Sequence, residues 1–293
     1  MHTISANGIE IAYEVLGQGW GPDLRGAPTP LVMTHGFASS SEFWRPDVEQ
    51  LADGRPLVLY DVRGHGGTTV PEEAESYSMP LLAADLAGLL EALGIETAHM
   101  CSISMGGMIT AQFAADYPEL CESVLLIDTT CGNGADAGPG GDWERRLADG
   151  IGALKHLAST LGLRDTLLRE WQYREANDPH FELSPYSLEE DFRRIEAMTL
   201  PGYLGAAHAI GTRPDLTERI PSIAAPTLVM VGEWDDFRLC AERDHGLIPG
   251  SRLVVREQCG HGSRWRVETF RAEVEAFLED VQSGRTVAGE RCV

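Results

Sequence analysis

The stretch Ser102-Ile103-Ser104-Met105-Gly106-Gly107 stands between a predicted strand and a predicted helix. A nucleophile on such a tight turn needs small residues two positions before it and two positions after it, because the backbone approaches itself there. Ser104 has Ser102 before it and Gly106 after it. The usual pattern is G-x-S-x-G, so Ser102 departs from it but is still small. The stretch predicts that Ser104 is a nucleophile. The alternative is a plain helix start with Ser104 as its N-cap.

Short apolar runs alternate with helical patterns on both sides of this stretch. Buried strands are predicted at residues 31–34, 56–60, 98–102 and 123–127, and helices at residues 43–51, 79–93 and 105–117. Asn7-Gly8 is a two-residue hairpin turn between two further strands, residues 3–6 and 9–15. The alternation predicts an α/β protein with a mostly parallel central sheet flanked by helices on both faces.

The alternation stops between about residues 131 and 220, where the sequence shows a Gly-rich stretch followed by helical pieces and no clear strand. It resumes with strands at 227–231 and 252–255 and a helix at 265–281, and the polar tail after residue 283 is expected to be loose. We therefore predict a core domain made of residues 1–131 and 215–293. Residues 132–214 are predicted to form an inserted helical lid over the carboxyl ends of the strands, where ligands bind in such sheets.

The composition argues against several classes of partner. The chain has 293 residues, with 23 basic and 45 acidic side chains, so its formal net charge is −22. Such a surface repels phosphate backbones and anionic lipid, so neither nucleic acid nor a membrane is expected as the main partner. The sequence has no apolar run of about 18 residues and no signal-peptide pattern at its N-terminus. Its six cysteines lack metal-binding spacing, which predicts reduced thiols in a cytoplasmic protein.

Four further motifs follow predicted strands. They are His35-Gly36-Phe37, Tyr60-Asp61-Val62-Arg63-Gly64-His65-Gly66, Gly232-Glu233-Trp234-Asp235 and Gly260-His261. Together with the Ser104 turn they resemble the α/β-hydrolase family over nearly the whole chain. They match its HG oxyanion motif, its D-x-R-G-x-G segment, its acid turn and its histidine loop. The order Ser, Asp, His along the chain is the order that this fold uses. The resemblance implies an α/β-hydrolase fold with an inserted helical lid.

The proton chemistry singles out one histidine. A serine hydroxyl is a weak nucleophile near neutral pH and needs a base within hydrogen-bond reach. His261 is the candidate base, because an imidazole can take that proton and return it to the leaving group. His35, His65 and His99 are expected to be structural, the first two in motifs where backbone and glycines matter most and the third inside a predicted strand.

Three carboxylates are candidates for the acid that orients His261. Asp235 matches the family position, and Asp236 is adjacent to it in the same turn. Asp128 follows an earlier predicted strand, where some members of the family carry their acid. The two that are not the acid would be ordinary turn or cap residues.

The resemblance also implies an oxyanion hole of two backbone amides aimed at the developing negative charge. These are the amides of Met105, directly after the nucleophile, and of Phe37, directly after His35-Gly36. Their side chains are free to vary, since only the N–H groups act. Phe37 can also line the acyl pocket or pack in the core.

These features predict a cofactor-independent serine hydrolase that cleaves a small carboxylic ester or lactone through an acyl-serine intermediate. The resemblance leaves two alternatives open, a carbon–carbon bond (diketone) hydrolase with the same triad and a non-catalytic ligand-binding receptor. No metal-binding or nucleotide-binding motif is present, so no metal or cofactor is expected. The expected partner is a small molecule, and the sequence gives no indication of oligomeric state.

The predicted lid bears on the substrate. Its larger apolar side chains suggest a small to medium, apolar substrate, since a few of them should line the pocket while the rest form the lid's own core; they are Trp143, Trp171, Tyr173, Tyr186, Phe192, Met198 and Tyr203. The negative surface charge also fails to steer anions inward. Arg193 and Arg194 are the residues that would reverse this preference, by binding a substrate carboxylate.

Overall fold

The computed structural model describes residues 1–135, 138, 140–181, 187–262 and 267–293, without the side chains of residues 46, 47 and 49. Within these residues the chain forms one nine-stranded sheet in the order β1-β2-β4-β3-β5-β6-β7-β8-β9. The strands are β1 His2–Ala6, β2 Ile9–Leu16, β3 Leu31–Thr34, β4 Leu57–Tyr60, β5 Ala98–Ile103, β6 Cys121–Ile127, β7 Thr227–Gly232, β8 Arg252–Arg256 and β9 Gly289–Cys292.

The sheet is antiparallel only at its N-terminal edge. β1 pairs with β2 through the Asn7-Gly8 turn, and β2 pairs with β4 in the same antiparallel sense. Asn7 and Gly8 have φ angles of 46° and 76°, the positive values that a tight hairpin turn needs. Every later pairing is parallel. The predicted mostly parallel sheet is therefore confirmed.

Helices cover both faces of the sheet, which is why the central strands β3, β4 and β5 are buried along their whole length. The helices are α1 Arg45–Val48, α2 Met79–Leu93, α3 Met105–Asp116, α4 Gly141–Leu161, α5 Leu163–Asn177, α6 Leu188–Glu196, α7 Leu200–Gly211, α8 Arg238–Leu247 and α9 Val267–Gln282. Val32, Val58 and Met100 pack on one face with α2 and α3. Their neighbours Met33 and Leu59 pack on the other face, against α1 and α9.

Helices α4 to α7, here called the helical block, lie in the chain between β6 and β7. The block has a small core of its own, with Ala158, Leu167, Ile195, Met198 and Tyr203. It is fastened to α8 by the buried ion pair of Glu144 with Arg243, 2.8 Å long. No strand lies between β6 and β7 in the residues that the structure describes, in agreement with the prediction.

Two expectations about single elements were wrong. The predicted helix at residues 43–51 is split into short turns around α1, because Val48 leaves the helical region with φ −125° and ψ −4°. The tail after residue 283 is not loose throughout, since β9 pairs with β8 and the Val293 N–H donates to the Val255 carbonyl at 3.0 Å. All four residues of β9 are exposed, so main-chain bonds rather than burial hold the strand and no apolar pattern marks it.

The final helix begins at Val267, and the first two residues predicted for it, 265 and 266, lie outside the described residues. In the described part of the chain no helix has the length and apolar character needed to cross a bilayer.

Candidate active site

Ser104 occupies a sharp turn between β5 and α3. Its φ of 55° and ψ of −121° are unusual for a residue with a side chain, and such a conformation costs on the order of 1–3 kcal/mol. Gly106 makes the turn possible, because a Cβ there would lie 2.5 Å from the Thr34 carbonyl oxygen. Ser102 fits at the usual first glycine position, since it is fully buried and its hydroxyl donates to the Leu125 carbonyl at 3.1 Å. Helix capping is not the role of Ser104, whose side chain makes no cap hydrogen bond.

His261 bridges Ser104 and Asp235. Its Nε2 lies 3.0 Å from Ser104 Oγ, and its Nδ1 lies 3.0 Å from Asp235 Oδ2. Since a carboxylate can only accept, Nδ1–H donates to Asp235 and the bare Nε2 is left to accept from the serine hydroxyl. The arrangement can therefore move a proton from Ser104 to His261 while a negative charge stabilises the imidazolium.

The Asp235 carboxylate is held in a fixed orientation. Its side chain is fully buried, and its Oδ1 accepts from the Phe237 N–H at 2.9 Å. Burial opposes ionisation, but the neighbouring His261 and these hydrogen bonds outweigh it and lower the pKa of Asp235. Burial likewise opposes the charged form of His261, yet Asp235 holds the pKa of His261 above its ordinary value.

The three candidate acids occupy different surroundings. Asp235 is the one whose carboxylate meets His261 Nδ1. Asp236 lies at the surface. Its carboxyl is still partly desolvated, and this together with the neighbouring charge of Asp235 raises its pKa. Asp128 is completely buried and ion-paired with Arg256 at 3.1 Å. Sequence reasoning missed Arg256: a charged residue at the end of a buried strand marks it as unusual, but no local pattern links it to Asp128.

The two amides assigned to the oxyanion hole flank Ser104. Met105 follows it directly, and the loop before Phe37 lies against it, because a Cβ on Gly36 would be 3.3 Å from the Ser104 Cβ. Among the described residues neither the Phe37 nor the Met105 backbone N–H has a hydrogen-bond acceptor. Two free donors beside a nucleophile are suited to stabilising an oxyanion.

Three other histidines have structural contacts, His35 and His65 in the motif loops and His99 in β5. His35 Nδ1 lies 2.8 Å from the Gly36 carbonyl, and its Nε2 accepts from the Val62 N–H at 3.0 Å. The His65 ring meets the His35 ring edge-on at 5.0 Å, and His99 Nδ1 lies 2.8 Å from Ser123 Oγ. Burial lowers the pKa of all three, to about 3 for His65 and about 4 for His99, so they are neutral near pH 7.

Two of the aromatic residues named from the sequence, Trp143 and Tyr203, lie next to residues of the site. Trp143 packs edge-on against Phe237 at 5.7 Å, and the Phe237 ring packs on His261 with centroids 5.2 Å apart. Tyr203 lies 4.7 Å from the Phe37 ring. The rest face elsewhere: Trp171 bonds to Asp191, Met198 lies in the core of the helical block, Phe192 packs under Arg164 and Tyr173 is exposed. Tyr186 lies outside the described residues.

An arginine that was not named from the sequence, Arg174, acts on His261 electrostatically. Arg194 is ion-paired with Asp191, and Arg193 is exposed. Arg174 on α5 is half-buried, lies 5.9 Å from the Phe181 ring centroid and exerts its positive charge on His261. Its guanidinium makes no hydrogen bond or salt bridge with a described residue, but its positive charge also acts on the Glu170 carboxylate one helical turn away. No sequence signal distinguishes Arg174 from the other arginines of the block.

No group of three or more His, Cys, Asp or Glu side chains is placed to hold a metal ion within the described ranges.

Comparison with known proteins gives a consistent picture. Residues 29–265 match the family model for the alpha/beta hydrolase fold. A Bacillus subtilis (strain 168) relative named "Putative 2-succinyl-6-hydroxy-2,4-cyclohexadiene-1-carboxylate synthase" is 33% identical over 244 residues, which is 80% of this chain and 84% of the relative. The 3-oxoadipate enol-lactonase 1 of Acinetobacter baylyi is 29% identical over 205 residues, 70% of this chain and 71% of that protein.

Among solved structures, the enol-lactonase from Burkholderia xenovorans LB400 superposes with a TM-score of 0.73 at 25% identity, covering 95% of this chain and all of that one (100%). A thermophilic esterase from Thermogutta terrifontis has a TM-score of 0.77 at 24% identity, with 96% and 99% of the two chains covered, a likeness that concerns the fold alone.

Proposed function

This chain belongs to the α/β-hydrolase fold family, and from that premise we propose that it is a serine hydrolase acting on a small carboxylic ester or lactone. The observation that carries the proposal is the chain of two 3.0 Å contacts that joins Ser104 Oγ to His261 and His261 to Asp235. Nucleophile, base and orienting acid are in hydrogen-bond reach of one another, which is the geometry that activates a serine hydroxyl.

The proposed reaction has two halves. In the first, His261 Nε2 takes the Ser104 proton while Oγ attacks the acyl carbon, and the oxyanion is bound by the Phe37 and Met105 N–H groups. The imidazolium then gives the proton to the leaving alkoxide and an acyl-serine is left; an ester releases a separate alcohol at this point, whereas the hydroxyl formed from a lactone stays on the acyl chain. In the second half a water molecule attacks the ester carbon, His261 takes its proton, and the acid product leaves as the proton returns to Ser104 Oγ.

We also propose that the helical block, within the predicted lid at residues 132–214, covers this site. Trp143 from α4 packs against Phe237, which itself packs on His261. Tyr203 from α7 packs on Phe37, whose backbone N–H is one of the proposed oxyanion donors. A cover on both sides of the nucleophile would exclude water and shape the acyl pocket.

One observation favours a carboxylate-bearing substrate as a second candidate, in place of the neutral one expected from composition. Arg174 is a half-buried cation whose charge acts on His261, and its guanidinium forms no salt bridge with a described carboxylate, although its charge also acts on Glu170 one helical turn away. Relatives named for a cyclohexadiene carboxylate and for 3-oxoadipate point the same way. An arginine placed there is suited to binding a substrate carboxylate.

The test is covalent labelling followed by turnover. A fluorophosphonate probe should label the wild-type protein at Ser104, and hydrolysis of p-nitrophenyl acetate and a panel of lactones should be lost in Ser104→Ala by roughly six orders of magnitude. Ser102→Gly, which restores the usual motif, is the matched control and should retain activity. Labelling without turnover of any substrate would indicate the receptor. Turnover of diketones but not of esters or lactones would indicate the carbon–carbon bond hydrolase.

A further inference from the structure

Asp128 is a buried carboxylate that the proposed reaction does not use. It is the first residue after β6, and Ser104 is the first residue after the neighbouring strand β5. Its side chain is 0% exposed, and its φ of 47° lies in the region that favours glycine. A positive φ is uncommon in a residue with a side chain, and burying a carboxylate costs free energy that its hydrogen bonds and ion pair must offset.

The Asp128 carboxylate is bonded to both segments that carry the partners of Ser104. Its Oδ1 accepts from the Gly232 N–H at 3.0 Å, at the start of the turn that presents Asp235. Its Oδ2 accepts from the Gly262 N–H at 3.1 Å, and Gly262 directly follows His261. One side chain therefore ties the acid turn to the histidine loop.

Arg256 makes this arrangement tolerable. It closes β8, its side chain is 2% exposed, and its guanidinium lies 3.1 Å from Asp128 Oδ2. That cation also offsets the repulsion between two buried carboxylates, Asp128 and Asp235. Burial still raises the pKa of Asp128 to about 6, with the charge of Asp235 adding to the rise and Arg256 opposing it.

We infer that Asp128, with Arg256, is a positioning residue of the proposed triad, which sets the His261 loop against the Asp235 turn and adds a second negative charge beside the imidazole. The inference rests on the proposed function. It differs from the alternative in which Asp128 is itself the acid, because the carboxylate that meets His261 Nδ1 is that of Asp235.

The electrostatic part of this role has a defined sign. The described charged groups around His261 are the carboxylates of Asp235, Asp128 and Asp236, which favour the imidazolium, and two arginines, which oppose it: Arg174, and Arg256 in its ion pair with Asp128. Removing the charge of Asp128 should lower the pKa of His261. The acidic limb of the kcat/KM profile follows the pKa of His261 in the free enzyme, so the limb should move to lower pH.

The experiment compares Asp128→Asn with Asp244→Asn on an ester that the wild type turns over. Asp244 is a matched control, since it is also buried beside an arginine (Arg243, 2.7 Å) and accepts from a backbone N–H (Cys131, 2.7 Å), but it belongs to α8. Asp128→Asn should lower kcat about ten- to a hundredfold, the scale of a misplacement of about 1 Å, and shift the acidic limb down by roughly one pH unit. Asp244→Asn should leave the limb in place.

A second variant keeps the test informative if Asp128→Asn does not fold. Asp128→Asn removes the carboxylate that is ion-paired with the buried Arg256, so Asp128→Asn/Arg256→Gln, which removes both charges, is measured alongside it. It should shift the limb in the same direction but by less, because losing the Arg256 cation offsets part of the loss of the Asp128 charge. An unmoved limb in whichever variants fold, or an equal shift in Asp244→Asn, would overturn the inference and leave Asp128 a purely structural residue. Failure of the proposed function is seen separately, as turnover that survives Ser104→Ala.

Discussion

His180 stacks face to face on Trp234, with ring centroids 3.8 Å apart and planes inclined by 4°. His180 follows α5 of the helical block, and Trp234 directly precedes Asp235. The Trp234 backbone is fixed in turn, because its N–H donates to the Cys259 carbonyl at 2.8 Å. The stack thus joins the block to the turn that presents the proposed acid.

His180→Ala should loosen the block over the site. A stacked aromatic pair contributes about 0.5–1.5 kcal/mol beyond its buried area, so we expect KM to rise a few-fold with a smaller change in kcat. Limited proteolysis within residues 132–214 should also be faster. His156→Ala is the control, since His156 is exposed on α4. Equal KM values and cleavage rates in the two variants would show that the stack does not hold the block closed.

The choice of acid is tested within one turn. Asp235→Asn should lower turnover by about 10⁴-fold, because the amide would favour the wrong tautomer of His261. Asp236→Asn, next to it but exposed, should stay within a few-fold of wild type. Steady-state kinetics on one ester, with circular dichroism to check folding, decides the matter. A greater loss in Asp236→Asn would mean that the acid turn is shifted by one residue.

The elbow glycine makes a stability prediction with a control in the same chain. In Gly106→Ala the new Cβ would meet the Thr34 carbonyl at 2.5 Å, so the variant should lose several kcal/mol or fail to fold. Gly150 lies in the middle of α4 with no atom within 4 Å of a built Cβ, and Gly150→Ala should stabilise by about 0.5–1 kcal/mol. Urea unfolding measures both. Equal effects would mean that the tight contact at the elbow is relieved by a backbone shift.

What the sequence predicted well are features with a local cause. The turn itself requires small residues around Ser104. Because parallel strands end at the same edge of a sheet, the motif residues that follow each strand are brought close together there. The family and the fold are confirmed, and Ser104, His261 and Asp235 lie in contact, while their catalytic roles and the lid boundaries stay predictions.

What escaped prediction depends on distant partners or on main-chain bonds. Arg256 is 128 residues from Asp128, and no local pattern links them. The strand β9 has no buried side chain to give it a period. The side-chain orientation of Arg174 follows from how α5 packs in the block, and helical spacing alone does not fix that packing.

Arg174 should decide between neutral and acidic substrates. If its guanidinium binds a substrate carboxylate, Arg174→Gln should raise KM for a carboxylate-bearing lactone about ten- to a hundredfold, since a charge-assisted hydrogen bond contributes about 1.5–3 kcal/mol. Neutral esters of the same size should be almost unaffected.

Loss of the Arg174 charge should also raise the pKa of His261, because Arg174 opposes the imidazolium, so the acidic limb of kcat/KM should move to higher pH. Arg193→Gln, on the exposed part of α6, is the control and should alter neither quantity. The measurement is kcat/KM for neutral esters of increasing chain length against carboxylate-bearing analogues, in both variants. Equal losses on neutral and acidic substrates, or a wild-type preference for the neutral ones, would contradict this role of Arg174. They would support the apolar substrate that the sequence predicted, in part from the net charge of −22.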